Sequence, residues 1–333
     1  MSHHDPIQRV IALALVSLSI WYWFSADFFG HEVLAEIAVF AIFAMSLDLL
    51  VGYTGLVSLG HAAFLAIGAY VTAAVTVFLG WPVSVAILAS VAASSFIALL
   101  LGIFVVRVKG VFFIMVTLAT GQIVYAYLFK ARAFGGDNGM SGTPRIELSW
   151  LGLDANEPAV FSALTLLCAL VVYLLLLRIV RSPFGTLLSA IHHNENRARS
   201  LGCAVHRYKL IAFVMSGAVA GLAGSLTAQH TGFVSPDLAF WTVSGEVLIM
   251  VIAGGMGTLV GAACGATLFI LARHTFSDGA FWSSLGLPSS TAEYWQMVLG
   301  LIFIAIVLFA SDGVHGRLRW VCQKLGLLRT PNV

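Results

Sequence analysis

Between Ala159 and Leu177 the chain runs nineteen residues without a charge, and comparable apolar stretches recur at Leu210–Thr227 and Gln296–Ala310. A helix needs about 20 apolar residues to cross a bilayer, whereas a barrel strand uses about ten of alternating polarity. Stretches of this length dictate membrane-spanning helices and exclude a barrel. Only 10% of the 333 residues are charged, against 60% hydrophobic, too few to cover a water-facing surface. The fold class that follows is an all-α polytopic membrane protein, read as a single domain over 1–333. A net charge of +2 gives no basis for nucleic-acid binding. Cys168, Cys203, Cys264 and Cys322 lack metal or redox spacing and read as apolar fillers.

The length criterion predicts about eight full spans, near 10–28, 33–51, 56–79, 82–105, 111–130, 159–178, 210–230 and 294–311. The first reads as a retained anchor, because it lacks a small-residue cleavage site and further spans follow. Lys and Arg orient such a chain, since they collect on the cytoplasmic side of short loops. With the N-terminus inside, Arg9, Arg107, Lys109, Arg178, Arg181, Arg197, Arg199, Arg207, Lys209, Arg317, Arg319, Lys324 and Arg329 fall inside. Only Lys130, Arg132, Arg145 and Arg273 fall outside, thirteen of the seventeen basic residues against four. Both termini are thus expected in the cytoplasm, with a cytoplasmic loop at 181–209, an external loop at 131–158, and a basic tail at 312–333 on the lipid surface.

One more apolar stretch, 241–271, must begin and end outside. At about 1.5 Å per residue it is roughly 45 Å long, too short for two crossings of about 30 Å and a turn. The expectation is a broken, re-entrant hairpin, with its break at Gly254-Gly255-Met256-Gly257. Non-helical backbone at membrane depth is tolerated only where protein buries it or it lines a polar cavity. Gly257, Gly261 and Gly265, with Gly217 and Gly221, form GxxxG units suited to close helix packing.

No P-loop pattern occurs, so ATP has no site on this chain, and HExxH and Gly-x-Ser-x-Gly are absent too. No catalytic residue, metal ligand or bound cofactor is expected. Asp48, Glu246, Glu36 and His61 fall within spans, where a charge costs about 2.5–3.5 kcal/mol. They are candidates for a polar route, or for hydrogen bonds to backbone at a helix break. In the loop, Ser182 and Pro183 suit a helix start, and Phe184, Leu187, Leu188 and Ile191 form one apolar stripe. Asn194 caps a second short helix with Glu195 in its first turn, Leu201 on its last and Gly202 as the stop. Such a pair suits either docking into a partner's groove or resting in the headgroups.

Several strings together resemble the branched-chain amino-acid ABC transporter permeases of the LivM type. They are Gly52–Phe64 (GYTGLVSLGHAAF) with Gly68-Ala69-Tyr70; Lys109–Phe113 with Thr117-Leu118-Ala119; and Ser182–Gly185 continuing to Ala190-Ile191 and Asn194-Glu195. Leu201-Gly202, Tyr208–Leu210, Ala220–Gly224 and Glu246 with Gly254–Thr258 complete a similarity over roughly 40–312.

The resemblance implies one half of a heterodimeric channel in a bacterial inner membrane. Its partners would be a LivH-like second permease, two cytoplasmic ABC ATPase subunits that hold ATP and Mg, and an extracytoplasmic substrate-binding protein. It implies a coupling element carried by Ser182, Pro183, Phe184, Gly185, Ile191, Glu195, Leu201 and Gly202. It places the route near Asp48, Gly52, Gly55, Ser58, His61, Glu246, Gly254, Gly255 and Gly257. Two departures stand out: Asp48 and Leu56 where the family commonly has Asn and Gln, and His192-His193 where an Arg-Glu pair is usual. Relatives of this fold also import urea, amides and other small solutes. An ion-coupled secondary transporter and a lipid- or peptide-cleaving membrane enzyme are the rival readings.

Overall fold

The computed structural model describes residues 6–147 and 152–309, so the expected tail at 312–333 and the end of the last expected span lie outside the described residues. The long helices are α1 (Pro6–Ser25), α2 (Phe28–Thr54), α3 (Ala62–Ala73, extended by a π-helical turn Ala74–Phe78), α4 (Val83–Val105), α5 (Val111–Lys130) and α6 (Pro158–Val180). Two short helices, α7 (Pro183–His193) and α8 (Glu195–Ser200), precede α9 (Val205–Thr231). Then come α10 (Trp241–Gly254), α11 (Leu259–Ser277), α12 (Gly279–Ser284) and α13 (Trp295–Phe309). Six of these, α2, α4, α5, α6, α9 and α11, are long and apolar enough to cross a membrane.

The centre of the bundle is α2. Its sequence is apolar on every face, and such a helix is stable only when surrounded. Accordingly Val33 to Val51 are buried almost without a gap, with α6, α9, α10 and α11 packed around them. Asp27 opens α2 by accepting the Gly30 N–H at 2.9 Å. Gly55, at φ 72°, closes it, and the Gly55 and Leu56 amides turn back to the carbonyls of Val51 and Leu50.

Small residues set the crossings. A Cβ on Gly221 would strike the Ser94 side chain, and one on Gly224 would strike the Leu65 carbonyl, so α9 meets α4 and α3 almost backbone to backbone. The hairpin uses the same device, with Gly254 against the Gly261 carbonyl and Gly265 against the Met250 carbonyl.

Three expectations change in detail. The helix expected from residue 56 starts at Ala62, because the Gly55 turn leaves 55–61 non-helical. The 241–271 hairpin breaks where expected, but its second arm runs on to Ser277. At nineteen residues, or about 28 Å, that arm alone matches the hydrocarbon thickness. Gly257 belongs to the break and not to a helical GxxxG unit, which leaves Gly261 and Gly265 on α11.

Opposite charges tie down the two ends of the bundle. At the start of α2, Glu32 meets Arg145 at 2.9 Å and lies 3.2 Å from His230, and one turn on Glu36 pairs with Arg273 and with His274. A two-residue antiparallel ribbon, Met140–Ser141 with Phe233–Val234, fastens the 131–158 loop to the end of α9 at this same end. Lys109, Arg199 and Lys209 gather around Glu195 at the other end.

Replacing Gly224 with Leu should lower the thermal midpoint in detergent, since overpacking against a backbone carbonyl costs about 1–3 kcal/mol. Gly300→Ala, where a Cβ meets nothing within 4 Å, should leave the midpoint unchanged or slightly raised. Equal midpoints for the two variants would contradict the close crossing.

Candidate functional site

Two stretches of broken backbone flank the last third of α2. Residues two apart on a helix point about 200° apart, so Ser46 and Asp48 address different neighbours from nearly opposite faces. Ser46 addresses the segment 55–61, and Asp48 addresses the hairpin break at 255–258.

From the Gly55 turn, the first segment climbs back along α2 to His61, level with Ser46. Ser46 lies eight residues before the end of α2, which puts His61 about 12 Å into the bundle. Side chains of neighbouring helices hold it at two points: Leu59 N–H donates to Thr117 Oγ1 at 3.3 Å, and Ala62 N–H, at the start of α3, to Ser244 Oγ at 2.8 Å. The His61 ring stacks on Phe43 with 5.4 Å between centroids, and its Nε2 lies 2.8 Å from Ser46 Oγ. The Ser46 hydroxyl donates to the Phe43 carbonyl at 2.6 Å, so Nε2 carries the proton and donates in turn. Gly60 crosses α5 at Thr117 and Gly121 so closely that a Cβ would overlap the Thr117 carbonyl. Ser58 is buried, and its hydroxyl has no partner among the described residues.

The second break is held by Asp48, which is fully buried. Its Oδ1 accepts the Gly257 N–H at 2.7 Å, and its Oδ2 has no partner among the described residues. Gly255 at φ 115° and Gly257 at φ 75° make the turn, and Thr258 Oγ1 donates to the Gly255 carbonyl at 2.7 Å. A Cβ on Gly52 would overlap the backbone of Gly257. Asp48 and Gly52 thus meet the break at Gly257, next to Gly255, while Gly254 packs on Gly261 of α11; Ser58 and His61 lie in the other broken segment, His61 against Ser46 and Phe43. Glu246 joins neither. It sits half-buried on α10, with no hydrogen bond among the described residues.

Beneath α2 lies the loop. Pro183–His193 forms a helix as its apolar spacing predicts, but the stripe faces inward. Leu188 enters the main core, while Ile191 packs with Ala198 and Val205. The stripe expected to meet a partner is therefore spent on the protein's own interior, because α2 and α9 leave an apolar seat there. Ser182 stands at the N-cap position, yet its hydroxyl donates back to the Ile179 carbonyl at 2.6 Å instead of capping α7. Gly185 lets α7 press on the Val180 backbone. Asn194 does cap α8, accepting the Arg197 N–H at 2.9 Å. Pro183, Leu201 and Gly202 are exposed, Leu201 just past the end of α8 and not on its last turn, and Phe184 is half-buried. The outward surface is a shallow groove between α7 and α8, lined by Ser189, His193, Asn194, Arg197 and Leu201.

Glu195 fastens this loop to the bundle. Its carboxylate meets Lys109 at 2.8 Å, Arg199 at 2.8 Å and the buried Lys209 at 2.9 Å. Burial works against that charge, but the hydrogen bonds from Lys109 and Lys209 outweigh it and hold the carboxyl below its ordinary value. His192 leans on the end of α2, where a Cβ on Gly55 would lie 2.9 Å from its Nδ1. Burial, then the neighbouring His193 and Lys209, hold its imidazole below its ordinary value.

Sequence reasoning missed several of these partners. Ser244 falls in no motif, and Lys109, Thr117 and Lys209 entered only as topology markers or as parts of the resemblance strings, with no partner assigned. Glu32 carried a usable signal, because it and Glu36 stand one turn apart on an otherwise apolar span.

The family described as the branched-chain amino acid transport system / permease component matches residues 30–307. The high-affinity branched-chain amino acid transport system permease protein LivM of Escherichia coli (strain K12) is 30% identical over 331 residues, covering 92% of this chain and 75% of that protein. LivM of Salmonella typhimurium is 28% identical over 329 residues, with the same coverage. The fructose import permease protein FrcC of Rhizobium meliloti is 24% identical over 309 residues, covering 90% and 82%. No solved structure matches.

Replacing Glu195 with Gln should cost about 2 kcal/mol, because it weakens charged hydrogen bonds and leaves the buried Lys209 without a counter-charge. Protease cleavage within 182–209 should rise accordingly. The same anchoring should be fully present above about pH 4.5, the ordinary glutamate value, and be lost as the pH falls through the lower folded value. Cleavage rates equal to those of the parent at neutral pH would contradict the anchor.

Proposed function

The chain belongs to the branched-chain amino acid transport permease family, and from that premise we propose that it imports aliphatic amino acids with ATP hydrolysed by separate subunits. It is the permease subunit of an importer and a multi-pass membrane protein. The finer reading gives it a LivH-like second permease, two cytoplasmic ATPase subunits holding ATP and Mg, and an extracytoplasmic binding protein. It lies in the bacterial inner membrane, with both termini in the cytoplasm.

One observation carries this assignment of labour. The loop 182–202 is anchored to the bundle by its apolar stripe and by Glu195, yet presents outward an open groove that combines Asn194 and Arg197 with the exposed Leu201. A surface held firmly behind and free in front is what a force-transmitting dock requires. ATP-driven movement of the ATPases would shift α7 and α8 as one body and, through α2, the broken segments. Each state of the route then differs in free energy by the coupling between the two sites. The names of the relatives support branched-chain amino acids as the solute.

The test is reconstitution in liposomes with both permeases, the ATPases and the binding protein. Leucine uptake should require ATP and all partners, and solute carried by this chain alone down an ion gradient would contradict the reading. Within that complex, Arg197→Glu with Leu201→Ala, in the outward groove, should weaken ATPase association about tenfold, or roughly 1.4 kcal/mol. Unchanged association would move the dock elsewhere.

A further inference from the structure

The coupling loop and the hairpin break both touch α2, at points seven residues apart. We propose that α2 is the lever joining them, with His192 on Gly55 as its input and Asp48 as the positioning residue at its output. This rests on the importer reading above and adds the residues through which the movement passes.

At the input, the His192 ring stands against the Gly55 turn so tightly that no side chain fits between them. The turn is itself braced, because the Gly55 and Leu56 amides close on Val51 and Leu50 and so transmit a push to the helix body. From the exposed cap Gly55 back to Asp48 is about 10 Å along the helix axis, and the helix residues between are buried apart from half-buried positions at Gly52 and Tyr53. A packed helix moves as a unit.

At the output two contacts join α2 to the break. Gly52 lies flush against Gly257, and Asp48 Oδ1 holds the Gly257 amide at 2.7 Å. That amide belongs to no helical ladder, so without Asp48 it is an orphan donor in a water-free interior. Asp48 grips with one oxygen, the second being buried and without a partner among the described residues. The feature used is an acceptor on a short side chain, which an amide supplies as well as a carboxylate. The lever therefore needs geometry at position 48 and not charge.

The test compares Asp48→Asn and Asp48→Leu in the complete reconstituted complex, reading ATP hydrolysis, uptake and their ratio. Asp48→Asn keeps the acceptor and should retain at least half of the solute moved per ATP. Asp48→Leu should still hydrolyse ATP at the parental rate while solute per ATP falls at least tenfold. Normal coupling in Asp48→Leu would overturn the lever. Equal loss in both variants would overturn the acceptor role in favour of a charge or ion-binding role.

Should Asp48→Leu fail to assemble, the input end gives the answer. His192→Ala should lower the ratio several-fold, and His192→Phe, which keeps a ring on Gly55, should restore it. A parental ratio in His192→Ala, or no rescue by Phe, contradicts the proposal. Failure of the parent complex to couple ATP to uptake would overturn the importer reading and the lever together, whereas normal coupling in the Leu variant overturns the lever alone.

Discussion

A backbone amide in the hydrocarbon region has no water to bond with, so every departure from helix must be met by a named partner. This constraint decides where the protein is irregular. The segment 55–61 is held by the Gly55 and Leu56 amides on α2, by Thr117 on the Leu59 amide, and by Ser244 on the Ala62 amide where α3 begins. The break at 255–258 is possible because Asp48 and Thr258 cover its polar groups. Each broken piece is thereby tied to specific neighbouring helices, and α2, between them, becomes the element on which both depend.

The same constraint explains how a chain with so few charges spends them. Glu32 and Glu36 fix one end of α2 to the 131–158 loop, α9 and α11, while Glu195 fixes the 182–202 loop at the other end. The middle is closed by apolar packing and glycine crossings. Rigid ends and a packed centre leave the non-helical pieces as the places where the structure can change shape at least cost.

Much of this was legible in the sequence because hydrophobic length and glycine placement are local signals. The stretch 159–177 read as a span, the cluster at 254–257 offered a plausible break, and Asn194 capped α8 as its residue type favours. What was not legible depended on three-dimensional neighbours. The apolar stripe of α7 fits a partner's groove or the protein's own core equally well by periodicity, and the seat beneath it, formed by α2 and α9, decides for the core. Likewise the chemistry of Asp48 allowed a route-lining acid or a backbone acceptor, and the acceptor contact arises only from the approach of Gly257, 209 positions away. His192 stood out as an unusual residue, but its contact with Gly55 is a matter of how two distant segments fold together.

The proposed mechanism requires the loop and the hairpin to communicate through α2. A double-mutant cycle measures this most directly, because residues acting in series are non-additive and independent ones add. Solute moved per ATP would be read for His192→Ala, Asp48→Leu and both together in the reconstituted complex. A lever predicts that the double variant loses no more than the worse single variant, whereas losses that multiply would contradict it.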